Sequence, residues 1–419
     1  MGSEEENFGI KLESQSHGEK KALSPPRKRH CSSDNQDNRF GTIPEELVEQ
    51  ILLRLDAESV WVCRRVCKSW FHLIINDDPS FVNKHLELVG NRNCKKTFIQ
   101  CVFRPILSLV TVCEEGDDDG DGCLPCVVEQ VPIVPAEILE QVLVQDLLQT
   151  HFIRVSHCNG IIHIFDPYES KSAVLFNPVL REFKLVGGPT FPFSSPNLEQ
   201  IMGHGFGYDP KSNNYKYVKI FGSENCRDRV AVVHTMGTSC SSWREIKVDV
   251  ESRLCFIHPV GDAIYCKGAY YWHYFSEGDV SVLLCFDMCE EIFRSIQIPD
   301  CIQPKSKQEN LILGDWNGSV ALFYTAQYRA CSGFYELWIM TGDDTHWIKR
   351  LKIGPLQSTH VPINFWKDDE LLLKIYQGYQ DGDVVSYNIY TQQLRRVPFP
   401  HREAGIHYAT PCLKTLVSL

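Results

Sequence analysis

The chain has 419 residues, 43% hydrophobic and 11% aromatic, with a formal net charge of −11 and a pI near 5.8. Length and composition suffice for a large core and suggest two or three domains. The acidic balance argues against a general nucleic-acid or anionic-membrane binder, either of which needs a basic face; a basic protein partner stays open.

Met1 to Asn7 is acidic and no long apolar run follows, so no secretory signal is expected. No stretch reaches the about 18–20 uninterrupted apolar residues that span a bilayer. The expectation is a nuclear or cytoplasmic protein. Eighteen cysteines would suggest disulfides in a secreted chain, but most sit inside apolar runs, as Cys255, Cys266 and Cys285 do, and read as small buried hydrophobes.

Residues 1–40 are rich in Glu, Ser, Asn, Asp and Lys and too poor in apolar residues to offset the entropy of ordering, which predicts a disordered tail. Within it, Pro25-Pro26-Arg27-Lys28-Arg29-His30 reads either as a short nuclear-import signal or as a solvated charge run. From Ile43 to Leu55, the residues Leu47, Val48, Ile51, Leu52 and Leu55 recur at helical spacing and predict an amphipathic helix. Thr42 and Glu45 have capping-box spacing, and Pro44 suits the first turn. A second short segment around Val60 leads to a third, Arg65 to Ile75, that Asn76-Asp77-Asp78-Pro79 ends. Three helices in about forty residues cannot bury all their apolar faces, so a partner protein is the expected cover.

After Thr97 the pattern becomes short β-branched and aromatic runs broken by turn residues, the pattern of an antiparallel β domain. An acidic glycine-rich loop, Glu114 to Gly122, and a possible helix, Ala136 to Leu148, read as an insertion. A Gly or Asp turn leading into a strand recurs at Asn159-Gly160, Gly205, Gly268, Gly318 and Asp369-Glu370. That recurrence, roughly every 50 residues, is what propeller blades give, with a β-sandwich as the rival. Tyr270, Tyr271, Trp272, Trp316, Trp338 and Trp366 are candidate binding hot spots, but core packing is the preferred reading.

Other chemistry is weakly marked. Asp117, Asp119, Asp121 and Gly122 match half of an EF-hand loop, but its bidentate glutamate should fall at Val128. Cys123-Leu124-Pro125-Cys126 has zinc-ligand spacing without a second pair. The chain lacks a G-x-S-x-G elbow, a P-loop and an H-E-x-x-H motif, and no carboxylate pair stands out for glycoside chemistry. No catalytic residue, metal site or cofactor is assigned.

Four ordered pieces, Ile43-Pro44-Glu45-Glu46-Leu47, Ile51-Leu52-Leu53-Arg54-Leu55, Val66-Cys67-Lys68-Ser69-Trp70 and Pro79-Ser80-Phe81, resemble the F-box, with Ile43 and Asp56 as mild departures. The series Cys158-Asn159-Gly160, Asn177-Pro178, Gly205-Phe206-Gly207-Tyr208-Asp209, Trp243-Arg244, Tyr271-Trp272, Trp338-Ile339-Met340 and Phe365-Trp366 resembles the F-box-associated domain of plant F-box proteins, in its type 1, kelch-like form. The single glycine pair, Gly187-Gly188, speaks against true kelch repeats.

The resemblance implies an α+β multidomain chain: a disordered tail (1–40), a three-helix F-box (41–86) and an all-β, propeller-like domain (97–415) with an insertion at about 113–145. It further implies a non-catalytic substrate receptor of a Skp–cullin–F-box ubiquitin ligase. The adaptor reaches cullin and RING subunits, and the β domain recruits an unidentified protein substrate for ubiquitination. By carry-over, Ile43, Pro44, Leu47, Val48, Ile51, Leu52, Leu55, Val60, Val66, Cys67, Trp70 and Phe81 make or support the adaptor contact, some of them only by holding the helices together. Alternatives are a propeller or lectin-like binding module outside the ligase, and a propeller enzyme.

Overall fold

In the computed structural model the β region resolves into six sheets, each packed between two neighbours. Residues 43–75, 80–91, 97–101, 106–112, 123–132, 154–168, 172–189, 200–222, 229–237, 242–250, 254–255, 263–276, 280–304, 310–326, 332–342, 346–357, 360–367, 369–377, 380–397 and 408–419 are described. The expected tail, the acidic run Glu114 to Gly122, the helix Ala136 to Leu148 and the capping-box residue Thr42 lie outside them. Of residues 1–44, which group apart from Glu45–Leu419, only Ile43 and Pro44 are described, and both are exposed.

Four helices come first: α1 (Glu45–Leu52), α2 (Ala57–Cys63), α3 (Lys68–Ile75) and α4 (Ser80–Asn91). The first ends three residues short of the predicted Leu55, the third starts three residues after Arg65, and α4 was not foreseen. Asp56 caps α2, its carboxylate accepting from Ser59 N (2.8 Å) and Ser59 Oγ (3.0 Å).

Blade I takes Thr97–Cys101, Ile106–Val112 and Cys126–Pro132, and its fourth strand, Tyr408–Cys412, comes from the far end of the chain. Blade II is Arg154–Cys158, Ile161–Phe165, Ser172–Asn177 and Glu182–Gly187. Blade III is Gln200–Asp209, Asn214–Gly222, Arg229–Thr235 and Arg244–Lys247. Blade IV joins Ala263–Cys266, Ala269–Ser276, Val280–Asp287 and Phe293–Gln297, with Leu254–Cys255 as an extra strand. Blade V is Asn310–Trp316, Ser319–Thr325, Ser332–Thr341 and His346–Gln357, and blade VI is His360–Phe365, Glu370–Gln377, Gln380–Asn388 and Leu394–Val397. All ladders within the sheets are antiparallel.

Neighbouring inner strands touch in an unbroken circuit, Tyr408–Cys412 to Arg154–Cys158 and onward through Gln200–Asp209, Ala263–Cys266, Asn310–Trp316 and His360–Phe365 back to Tyr408–Cys412. This closure makes a six-bladed propeller of the described residues and rules out the sandwich. An apolar cluster fills each blade-to-blade junction, for instance Ile162, Ile164 and Phe176 against Ile99 and Leu109, or Trp366 and Leu372 against Phe98 and Val110. Both faces of a blade are thus buried, and so Ile161–Phe165 and Ser172–Asn177 are buried throughout rather than alternating. Four of the six singled-out aromatics, Tyr270, Tyr271, Trp272 and Trp366, lie in this core, while Trp316 and Trp338 are partly buried against it.

Turn chemistry recurs. Asn159-Gly160, Lys267-Gly268 and Asn317-Gly318 each place two successive residues at positive φ, as tight hairpin turns require. A second device repeats at Asn177, Asp209, Asp287 and Asn388: the side-chain Oδ1 accepts the amides two and three residues on, and the residue four on has φ between 55° and 60°. Gly205 differs from the expectation of a turn. It lies within the strand Gln200–Asp209, where a Cβ would come within 2.7 Å of Trp272 Cζ2 and 2.8 Å of Val218 Cγ1.

Candidate partner-binding site

Helix α1 is apolar on two adjoining stripes. Val48 and Leu52 are buried, whereas Leu47 and Ile51 are 48% and 50% exposed. The buried stripe joins Ala57, Val60, Ile74 and Phe81 in one cluster, with Leu55, Trp61, Trp70 and Leu73 partly buried around it. His85 Nε2 lies 3.0 Å from the Leu55 carbonyl, which fixes a proton on that nitrogen, and its ring stacks on Phe81. A Lys84–Glu49 ion pair (2.8 Å) ties α4 to α1.

The cluster is not made by the helices alone. Val179 and Leu180, from the turn after Asn177 in blade II, and Leu416, beyond the last strand, complete it. Segment Leu413–Leu419 is held on blade II by Asn177 Nδ2, which donates to the carbonyls of Thr415 (3.1 Å) and Val417 (2.6 Å). Thr415 Oγ1 donates to the Asn159 carbonyl (2.8 Å), and Glu182 accepts from Ser418 Oγ (2.8 Å). Lys414 pairs with Glu58 of α2 at 2.7 Å. The expectation that a partner protein covers the helices is thereby corrected in part, because one side of them is covered by the chain's own propeller.

Other apolar positions of the helical region stay open. Leu47, Ile51, Val62, Val66, Phe71 and Ile75 are exposed, each 40% or more. Of the twelve carried-over residues, Ile43, Pro44, Leu47, Ile51, Val66 and Cys67 are exposed, Leu55 and Trp70 are half-buried, and Val48, Leu52, Val60 and Phe81 are core. The exposed six can meet a partner directly, whereas the buried four can only hold the helices. Val62, Phe71 and Ile75 were not foreseen; the i, i+4 spacing of Phe71 and Ile75 was the available signal. Cys67 Sγ lies 3.1 Å from Ser69 Oγ, a hydrogen bond that, with the amides of α3, draws the thiol below its ordinary pKa.

Hydrogen-bonding side chains also tie blades III and IV together. Lys216 Nζ donates to the Met288 carbonyl (2.5 Å) and pairs with Asp209 (2.7 Å) and Glu291 (2.8 Å), and Arg244 adds a close contact to Glu291. Burial pushes the Asp209 carboxyl up, but hydrogen bonds from Lys216 and Ser212 outweigh it and hold the group well below the usual range. Among the described residues no group of three or more His, Cys, Asp or Glu is placed to hold a metal ion, and no helix is long and apolar enough to cross a membrane.

Residues 40–81 match the F-box domain, and residues 140–409 match the F-box associated beta propeller domain, in its type 3 form where the sequence had suggested type 1. Among curated proteins the chain is 24% identical over 383 residues to an F-box/kelch-repeat protein of Arabidopsis thaliana, covering 90% of this chain and 95% of that one. An F-box protein of the same plant is 23% identical over 272 residues, covering 63% of this chain and 61% of its own length. A second F-box protein there is 23% identical over 326 residues, covering 74% and 79%. Among solved structures, the β-propeller domain of the Trilobed protease from Pyrococcus furiosus is 10% identical over 72% of each chain at a TM-score of 0.30. The SapL1 lectin in complex with alpha methyl fucoside is 8% identical over 74% of this chain and 99% of its own, at 0.38. At these scores neither structure adds to the fold or the function.

Proposed function

The chain belongs to the family of F-box proteins with an F-box-associated β-propeller, and from that membership we propose that it is the substrate-recognition subunit of a Skp–cullin–F-box ubiquitin ligase. F-box domains generally bind Skp-type adaptors, and the coupling of an F-box to a propeller fits such a subunit. In this reading the open helix face docks the adaptor, cullin and RING subunits follow through it, and the propeller holds a target protein for ubiquitination. The receptor itself is non-catalytic. Tethering raises the target's effective concentration at the ubiquitin-charged enzyme.

The observation that carries the reading is the division of α1, with Val48 and Leu52 in the core while Leu47 and Ile51 stay open, as Val62, Val66 and Phe71 do on the helices and turn that follow. Several large apolar side chains left open within one short helical region of a folded chain mark an interaction site. We place the protein in the nucleus or cytoplasm; the run Pro25 to His30, which reads as an import signal or as a solvated charge run, lies outside the described residues.

The test is calorimetry of the full chain with a purified Skp-type adaptor, beside a Leu47→Ala, Ile51→Ala double variant. Both side chains are half exposed, so the helices stay folded. Truncating two such anchors weakens binding about tenfold or more. A wild-type chain that does not bind, or a double variant that binds equally well, overturns the proposal.

A further inference from the structure

Blade V ends in a twelve-residue strand, His346–Gln357, which among the described residues pairs with Ser332–Thr341 alone. Among the described residues no strand pairs with its outer edge over Trp347–Ile353, beyond which Pro355 supplies no N–H. The side chains along that stretch are basic: His346, Lys349, Arg350 and Lys352 are all exposed. Lys349 pairs with Glu336 at 2.6 Å. Lys352 stands opposite Glu336 in the ladder, where its charge helps hold that carboxyl down, but among the described residues neither Arg350 nor Lys352 makes a direct ion pair; both lie over rings, Lys352 at 4.0 Å from the centre of Phe334 and Arg350 at 5.5 Å from that of Trp316. Ile348 and Phe334, 47% and 40% exposed, add apolar surface. A chain with a net charge of −11 thus gathers cations along one open strand.

We propose that this edge of blade V binds an extended acidic segment of the protein that the propeller recruits, which deepens the receptor reading above and rests on it. The segment adds as a further strand, its backbone pairing with Trp347–Ile353 and its carboxylates meeting Arg350 and Lys352. Cations on an open edge repel a second copy of the same edge and admit a strand of opposite charge. Cations over aromatic rings also suit nucleic acid, but a ladder of alternating backbone donors and acceptors is matched by a peptide and not by a sugar–phosphate chain.

The experiment uses the full chain in complex with the adaptor and a fluorescein-labelled peptide of alternating Glu and Val, with a Lys-and-Val peptide as control, read by fluorescence anisotropy at low and physiological salt. The acidic peptide is expected to bind, more weakly as salt rises, and the Lys peptide not to bind. An Arg350→Gln, Lys352→Gln variant, which removes both charges and adds no carboxylate opposite Glu336, is expected to lose about tenfold in peptide affinity while holding the adaptor unchanged. No binding of the acidic peptide, equal binding by the variant, or tighter binding of a single-stranded oligonucleotide at the same residues overturns the inference and leaves the receptor reading standing. Peptide binding by a chain that fails to bind adaptor supports the surface and sinks the receptor reading.

Discussion

Replacing Leu416 by alanine tests whether the F-box depends on the far end of the chain. Leu416 is 5% exposed and shares a cluster with Val48, Leu52, Val60 and Phe81. A buried Leu→Ala change costs ~2–5 kcal/mol, depending on how far the surroundings close over the gap. Segment Leu413–Leu419 is held by Asn177 and Glu182 and cannot settle inward, whereas the short helices that pack on it can shift. The lower half of the range, about 2–3 kcal/mol, is therefore expected, and it falls on local opening of the helices, because Leu416 belongs to the helix cluster rather than to the clusters between blades. Native-state hydrogen exchange should show the amides of α1 and α2 exchanging about thirtyfold faster or more, at roughly tenfold per 1.4 kcal/mol. The strands of blade IV should stay unchanged, and Leu394→Ala, at an exposed position of blade VI, should have no effect on the helices. Unchanged exchange in α1 and α2, or equal acceleration in blade IV, refutes the dependence.

Gly205→Ala should lower the thermal midpoint, since its Cβ meets the ring of Trp272, Val218 and Tyr270 at 3.0 Å or less and overpacking costs about 1–3 kcal/mol; an unchanged calorimetric midpoint contradicts that. Asp209→Asn should cost about 2 kcal/mol at neutral pH, because Lys216 keeps Glu291 but loses a carboxylate. As the folded Asp209 pKa is depressed, its stabilisation is present above the ordinary carboxylate range and is lost as pH falls through it. The gap between wild type and variant in urea unfolding should therefore narrow from pH 7 to pH 3, and a constant gap counts against the network. Lys219 is fully buried, and burial pulls its amine down to about 7. Between that value and the ordinary lysine pKa the unfolded chain holds a proton that the folded one lacks, so stability rises with pH; Lys219→Met should flatten this slope between pH 7 and 10, and an unaltered slope rejects the assignment.

The F-box was readable because its chemistry is local: helical spacing places Leu47, Val48, Ile51 and Leu52 on one side of a short helix. The same spacing could not say which of them faces inward, because the inward side is defined by Val179, Leu180 and Leu416, far away in the chain. Propeller strands were visible as β-branched runs, yet the blade count depended on Tyr408–Cys412 pairing with Thr97–Cys101, a contact without a local signal. Gly205 was misread as a turn because a glycine required by a neighbouring ring looks, in one dimension, like a glycine required by φ. α4 went unseen because Asn76-Asp77-Asp78-Pro79 read as the end of the helical region, although Ser80 begins a new helix.

The circuit of blades and the helix cluster share a timing constraint during synthesis. The helices leave the ribosome first, but Glu58 meets Lys414 across 356 positions of sequence, and Leu416 and the inner strand of blade I emerge together with that lysine. Until then a nascent chain has an open ring and an unfinished helical core. A product that stops short of Tyr408 therefore lacks both closures at once, so premature termination leaves the helices and the ring unfinished together.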